Sequence, residues 1–374
     1  MSDWRLALRF PPLPGARTDI LVGRGNLGSL GREVRRRIPA DAAFVVTHPA
    51  LRRRFGAAVA RGLKAGGVRA VAFGEFPAGE RFKTVETWAR LLRRIAAFDR
   101  GERRRLVVGT LGGGVAGDLG GFVAATYRRG VPFFQVPTSL LANVDAAVGG
   151  KVAVDLIAKN QVGAFHQPFL VLVDLETLRT LPPAEVRSAL AEVAKYGVIA
   201  DARILDLLER ETNRILAKDP DVLGRIVRRS YEIKASFVRS DERDTRGIRA
   251  ALNFGHTFGH ALEQVLGFRW RHGEAVAVGM LMASDLEASM AGRAPDYRAR
   301  LETILARLGL PTRAPDVEPR KVLEAMRHDK KFVSGRNRFV LSSRAGSFRL
   351  AEGVPWPLVR KAVEGRLGRA ERSP

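Results

Sequence analysis

From its start to about residue 180 the chain alternates short apolar runs with stretches of helical spacing. Residues 44–47 form an apolar run closed by the turn residues His48 and Pro49. Trp88, Leu91, Leu92 and Ile95 then recur at the three- and four-residue steps of one helix face. Residues 106–108 are again continuously apolar and run into a glycine cluster. Residues 133–136 and 169–173 read as buried strands, the second ending at Asp174. Such alternation predicts an α/β layer structure around a mostly parallel sheet. Past Leu181-Pro182-Pro183 the period changes. From residue 184 to about 330, positions such as Ile204, Leu207 and Leu208, and later Val276, Met280 and Ala283, keep to helical spacing. Strand-like runs return only within residues 338–350, on either side of Ala345-Gly346, in the manner of a hairpin. The expected organisation is an α/β domain over residues 1–182 and a mainly α-helical domain over residues 183–374.

A length of 374 residues agrees with two domains, because a single core stops growing before that size. Apolar residues at 46% and charged residues at 27% are ordinary for a globular enzyme and exclude a disordered chain. No stretch reaches the roughly 18 consecutive apolar residues of a membrane span. Met1-Ser-Asp-Trp-Arg lacks the apolar core of a signal peptide. A cytoplasmic protein without membrane contact is expected. The absence of cysteine leaves histidine and carboxylate as ligands for any metal.

A formal charge of +24 raises the question of a polyanion partner. The basic residues are scattered, however, as at 35–37, 52–54 and 103–105, and are not interleaved with stacking aromatics. Only 11 of the 63 basic residues are lysine, a bias that runs through the whole chain, so no nucleic-acid partner is expected. The bias makes lysine informative. Lys83, Lys151, Lys159, Lys195, Lys234, Lys330 and Lys331 lie in or near segments bearing Gly, Asn or His, where a compact ammonium does what a planar guanidinium cannot.

Gly112-Gly113-Gly114-Val115-Ala116-Gly117-Asp118 follows an apolar strand and precedes the helical Phe122-Val123-Ala124-Ala125. Glycines there let backbone amides approach a phosphate at a helix N-terminus, a Rossmann-like arrangement. An ordinary strand-to-helix turn would carry the same string, and no clear acidic ribose partner follows about 20 residues on. Next come Pro137-Thr138-Ser139, Asn143-Val144-Asp145, Gly149-Gly150-Lys151, Lys159-Asn160 and Gly163-Ala164-Phe165-His166-Gln167-Pro168. Glycine pairs beside lysines and an asparagine predict a flexible, cationic loop suited to a phosphorylated polyol.

Glu192-Val193-Ala194-Lys195 sets a carboxylate and an ammonium one turn apart on one helix face, as a solvated ion pair also would. Asn253-Phe254-Gly255-His256-Thr257-Phe258-Gly259-His260 places two histidines at i and i+4, on the same face. Zinc proteases share that spacing, but their first histidine is followed by Glu and here the residue is Thr257. With His272, three of the chain's six histidines fall within 17 residues. Two histidines and a carboxylate make a metal site that keeps a position open for substrate.

Taken in order and spacing, the strings PTSLLANVD, VGGK, KN, GAFHQP, AEVAKYG, EIK, RAALNFGHTFGHALE, HGEAVAVGM and HDKK, with the glycine-rich turn before them, resemble the 3-dehydroquinate synthase family. The resemblance spans residues 77–331. It implies a two-domain enzyme with its active site between the α/β and helical domains. The reaction would convert 3-deoxy-D-arabino-heptulosonate 7-phosphate, a sugar-acid phosphate, to 3-dehydroquinate and phosphate in the shikimate pathway. NAD would be reduced and reoxidised within each turnover, with one divalent metal, zinc or cobalt, as second cofactor.

By resemblance, Glu192, His256 and His272 are the metal ligands. Asp145, Lys151, Lys159, Asn160, Lys195, Lys234, Arg249, Asn253 and His260 surround the substrate, with Lys330 or Lys331 completing the cationic shell. Arg129 corresponds to an arginine reaching across a homodimer interface. NAD lies against Gly113, Gly114, Val115, Asp118, Thr138, Ser139 and Asp145, with Glu80, Lys83 and Thr180 nearby. Departures from the family pattern are His48, Ser139, Val152, Ala158, Ala184 and Ala189, none of them a ligand or a charged substrate group.

Three other readings compete. A related cyclase could act on sedoheptulose 7-phosphate, glucose 6-phosphate or an amino analogue of the usual substrate. The first two substrates lack the carboxylate that Lys234 and Arg249 would hold. A metal-dependent alcohol or glycerol-phosphate dehydrogenase would not need so dense a cationic set. A polyanion-binding protein would not need Glu192, His256 and His272.

Overall fold

The computed structural model describes residues 17–99, 104–315, 317–327 and 337–368; Lys330 and Lys331 lie outside them. The strands are β1 (Asp19–Gly23), β2 (Ala42–Thr47), β3 (Ala70–Glu75), β4 (Leu106–Gly112), β5 (Phe133–Pro137), β6 (Lys151–Val154), β7 (Val162–Phe165) and β8 (Leu170–Asp174). Six of them form one parallel sheet in the order β1-β8-β5-β4-β2-β3. Every residue of β2, β4, β5 and β8 is buried, which is why these strands read as mainly apolar runs rather than alternating ones.

Helices cover both faces. Leu30 and Val34 of α1 (Leu30–Arg37) and Val59 and Leu63 of α2 (Pro49–Ala65) pack on Ala43, Val45, Val107 and Phe134. Leu91 and Ile95 of α3 (Val85–Phe98) and Leu119 and Val123 of α4 (Gly114–Thr126) pack on Phe44, Val108 and Phe133. The chain runs from β2 out to the edge strand β3, then back past β2 to β4 and on to β5. A doubly wound sheet offers its ligand crevice beyond the carboxyl ends of the strands where that direction changes. His48 and the Gly112-Gly113-Gly114 turn close β2 and β4 at that end.

The rest is mainly helical: α5 (Pro183–Ile199), α6 (Arg203–Arg210), α7 (Thr212–Leu216), α8 (Pro220–Ser240), α9 (His256–Val265), α10 (His272–Ala291), α11 (Arg298–Arg307), α12 (Pro319–Arg327) and α13 (Trp356–Glu364). The expected hairpin is present as antiparallel β9 (Arg338–Leu341) and β10 (Arg349–Glu352). Helices α5 and α10 are buried almost all round and form the centre of this half. Val171 and Val173 on one face of β8 join Leu190 and Val193 of α5 in a single core, so sheet and helices are packed together. Among the described residues no helix is long and apolar enough to cross a membrane.

One expectation is corrected. Residues 149–168 are not a flexible loop: β6 and β7 pair in register from Lys151↔Phe165 to Val154↔Val162. Val152 and Val154 are buried against α4, and a side chain on Gly121 of that helix would meet Val152 Cγ1 at 2.3 Å. The glycines and lysines around these valines hid a short β-branched alternation. Val152, one of the departures from the family pattern, is therefore a packing residue.

Candidate active site

Three helices bring the histidine cluster together, and small residues let them. Gly255 has φ +77°, and a Cβ there would stand 2.7 Å from the Met280 amide nitrogen of α10. A Cβ on Gly273 would stand 1.7 Å from the Ser188 carbonyl oxygen of α5, whose hydroxyl accepts a hydrogen bond from the Gly273 amide at 3.0 Å. Backbone thus meets backbone between α9, α10 and α5, with Glu192, His256 and His272 at the junction.

Nε2 of His256 and Nε2 of His272 each lie 3.3 Å from the same oxygen, Oε1 of Glu192. The two rings are 5.2 Å apart, and His260 stands 5.3 Å from His256. Glu192 is buried and among the described residues its Oε1 accepts no hydrogen bond, while its other oxygen is held by the buried Lys195. Two imidazole nitrogens converging on an unsatisfied carboxylate oxygen fit a divalent cation. Burial alone would raise the Glu192 carboxyl, but Lys195 and His256 hold it well below the usual range. Burial likewise opposes protonation of His272, yet Glu192 and Glu263 beside it push its pKa up to about 9. His256 is shifted the other way, because its burial outweighs Glu192.

Beside this centre, Asp145 Oδ1 is 2.8 Å from Lys234 Nζ and accepts a hydrogen bond from the Tyr196 hydroxyl at 2.8 Å. Burial works against the Asp145 charge, but Lys234 and Lys195 bring its pKa down to about 2. Arg249 is buried, donating from Nη1 to the Glu242 carbonyl at 2.9 Å, while its Nε has no partner among the described residues. Lys151 is half exposed and pairs with Asp244 at 2.5 Å. Asn253 ends the short turn Ile248–Asn253 that carries Arg249 and leads into α9.

A second cluster lies at the ligand end of the sheet. Lys83 is buried within 2.8 Å of Glu80, 3.2 Å of Asp118 and 3.6 Å of Asp155, and donates to Asn160 Oδ1 at 2.6 Å. Burial lifts the Asp118 carboxyl to about 6 despite Lys83. Gly113 precedes α4 without a side-chain cap, and a Cβ on it would come within 3.1 Å of Ser139 Oγ. The first amides of α4 are thus left for an anion in a cradle that side chains would fill, which suits the pyrophosphate of a dinucleotide. Val115 lies in that first turn, and the Thr138 amide donates to the Gly112 carbonyl at 2.9 Å.

Not every expected residue is gathered in. Arg129 is exposed in the turn Tyr127–Arg129, at φ +62°, and among the described residues no hydrogen bond or ion pair ties it to either cluster. Thr180 is exposed, its hydroxyl bonded to the Thr177 carbonyl at 3.1 Å. Lys159 sits at the β6–β7 tip, 3.9 Å from Glu263 and over the Phe268 ring. Sequence reasoning missed Tyr196, Glu263, Asp155 and Asp244. Glu263 alone had a visible signal, a carboxylate one turn beyond His260 on the histidine face.

Comparison with known proteins decides the family. A model described as 3-dehydroquinate synthase N-terminal matches residues 74–188, and one described as 3-dehydroquinate synthase C-terminal matches residues 189–332. The 3-dehydroquinate synthase of Dehalococcoides mccartyi (strain CBDB1) is 42% identical over 94% of this chain and 97% of its own length. That of Nitrosomonas europaea is 47% identical over 77% of this chain and 78% of its own. The chain belongs to the 3-dehydroquinate synthase family. This family membership accords with solved structures of sugar-phosphate cyclases. A 2-epi-5-epi-valiolone synthase from Streptomyces hygroscopicus subsp. jinggangensis, with NAD+ and Zn2+ bound, superposes at TM-score 0.84 with 24% identity, covering 97% of this chain and 99% of that one. A 2-deoxy-scyllo-inosose synthase complexed with carbaglucose-6-phosphate, NAD+ and Co2+ gives 0.82 at 25% identity, covering 93% and 96%. Glycerol dehydrogenase from Schizosaccharomyces pombe, at 0.64 and 14% identity over 93% and 88%, shares the fold alone.

Proposed function

We propose that this 3-dehydroquinate synthase family member converts 3-deoxy-D-arabino-heptulosonate 7-phosphate to 3-dehydroquinate and inorganic phosphate, as a cytoplasmic, phosphate-eliminating carbon–oxygen lyase. The observation that carries the substrate choice is the buried Arg249, whose Nε has no partner among the described residues and whose charge acts on the buried Lys234. A buried guanidinium with an N–H left to donate suits the oxygens of a carboxylate, which sedoheptulose 7-phosphate and glucose 6-phosphate lack.

In this reading Arg249 and Lys234 hold the substrate carboxylate. Lys151, Asn160, His260 and the Lys330-Lys331 pair hold the phosphate, with Arg129 added from the other subunit of a homodimer. Asp145, fixed by Tyr196 and Lys234, and Lys195 and Asn253 orient the ring hydroxyls. Glu192, His256 and His272 would hold a divalent ion, zinc or cobalt, which when bound supplies a Lewis acid for adjacent hydroxyls. The Gly113-Gly114-Val115 turn, Thr138 and Ser139, with Lys83, Asp118, Glu80 and Thr180 nearby, would hold NAD, whose chemistry is reversible hydride acceptance, while Lys159 adds a further cation on the substrate side. Residues 1–182 would then be the dinucleotide-binding domain and 183–374 the metal- and substrate-binding one.

The test is a substrate panel. With NAD and zinc present, phosphate release should be fast from the seven-carbon acid phosphate and slow from sedoheptulose 7-phosphate and glucose 6-phosphate. A preference for either carboxylate-free sugar would overturn the assignment in favour of a related cyclase.

A further inference from the structure

A metal-binding imidazole presents its unprotonated nitrogen, and the group facing the other nitrogen decides which one that is. In His256 the other nitrogen, Nδ1, lies 3.1 Å from the Phe254 carbonyl oxygen. A carbonyl can only accept, so Nδ1 carries the proton and Nε2 faces Glu192. In His272 the corresponding place is taken by a side chain. Its Nδ1 lies 3.5 Å from Oε2 of Glu263.

Glu263 is 6% exposed, and a carboxylate so placed is costly unless its neighbours answer its charge. Those neighbours are His272 on one oxygen and Lys159 at 3.9 Å on the other. The facing of Glu263 and His272 is set by backbone. A Cβ on Gly279 of α10 would lie 2.2 Å from the Gly255 carbonyl oxygen, and one on Gly259 of α9 would lie 3.2 Å from Val276 Cα. The two helices therefore meet backbone against backbone at positions where a side chain would not fit.

We propose that Glu263 is the positioning residue for His272. It fixes the proton on Nδ1, turns Nε2 toward Glu192 and His256, and makes the ring a stronger donor to a divalent cation. This rests on reading Glu192, His256 and His272 as a metal centre. The rival is that Glu263 is itself a ligand, since His260, Glu263 and His272 also offer ligand atoms within 4.8 Å of one another.

The experiment titrates apoprotein with Co(II), reading the visible absorption of the bound ion and its affinity in competition with a chromophoric chelator. Wild type should take one Co(II) per chain. Glu263→Ala should lower the affinity about 10- to 100-fold and alter the absorption spectrum. Glu263→Gln keeps an oxygen that can accept from Nδ1–H and should lose less. Its apoprotein melting temperature should match wild type, which separates positioning from folding. Equal affinity and an unchanged spectrum in both variants would overturn the proposal. Loss of a second Co(II) equivalent with the first unaffected would overturn it in favour of the rival. A wild-type chain that takes up no Co(II) would remove the metal centre and the proposal with it. Because the readout is metal binding, the outcome does not depend on which sugar phosphate the enzyme accepts.

Discussion

Replacing Lys195 with methionine isolates the charge that makes the centre tolerable in the absence of an ion. Lys195 and Glu192 are each 1% exposed and meet one turn apart on α5. Methionine is unbranched and nearly fills the space of the lysine stem, so the main change is loss of the ammonium. Removing one partner of a buried pair costs about 3–5 kcal/mol, because the other charge stays behind uncompensated. For a domain of the relevant size this lowers the melting temperature by about 6–20 °C. A dication held by Glu192, His256 and His272 would supply the missing counter-charge. Zinc should therefore raise the melting temperature of Lys195→Met more than that of wild type and recover much of the deficit. The deficit should also fade in acid. The Glu192 carboxyl is held well below its usual range, by Lys195 and His256 against burial, so its contribution is present above the ordinary carboxylate range and lost as pH falls through the folded value. The assay is thermal unfolding of both proteins, with and without saturating zinc, at neutral and acid pH. A loss no greater than that of an exposed pair, below about 1 kcal/mol, or an equal zinc shift in both proteins, would refute the reasoning.

Arg249→Ala should weaken use of the seven-carbon acid phosphate by about 1.5–3 kcal/mol in kcat/KM, and of a carboxylate-free analogue far less; equal losses on both would detach Arg249 from the carboxylate. Asp118 is lifted from 3.8 to about 6, so above pH 6 its charge opposes folding, whereas below about pH 4 both states are protonated. Asp118→Asn should accordingly stabilise the NAD-free protein by about 1–3 kcal/mol at pH 7.5, with the gain gone by about pH 4; a constant difference across that range in thermal melts would contradict it. Arg129→Ala and Glu192→Ala subunits, each inactive alone, should regain roughly a quarter of wild-type activity after statistical exchange if Arg129 serves the neighbouring site; verified heterodimers without activity would assign it to its own subunit.

What could be read from sequence was whatever depends on local chain chemistry. The all-buried strands announced themselves as mainly apolar runs, the Gly112-Gly113-Gly114 turn is contiguous in sequence, and the His256/His260 pair lies within one helix. What could not be read depends on a partner distant in sequence. The β6–β7 hairpin carries only two core-facing valines on β6, Val152 and Val154, and they make sense only once Gly121 of α4 is opposite. The edge strands β1 and β3 are half-buried and gave too little apolar contrast to be found. Tyr196 looked like an ordinary helix residue, because Asp145, which gives it meaning, lies on another element, and Glu263, though visible on the histidine face, takes its meaning from His272 on the next helix. Arg129 shows the reverse: a residue singled out by resemblance that is exposed and, among the described residues, joined to neither cluster.

The most direct test of the central claim is one progress curve. The protein, with zinc and NAD at a concentration far below that of 3-deoxy-D-arabino-heptulosonate 7-phosphate, is followed at once for phosphate, for 3-dehydroquinate and for NADH absorbance. The account predicts phosphate and 3-dehydroquinate in equal amounts, many times the NAD added, with no net accumulation of NADH. Phosphate release that stops at the NAD supplied, NADH rising in step with it, or phosphate without the carbocycle would contradict it.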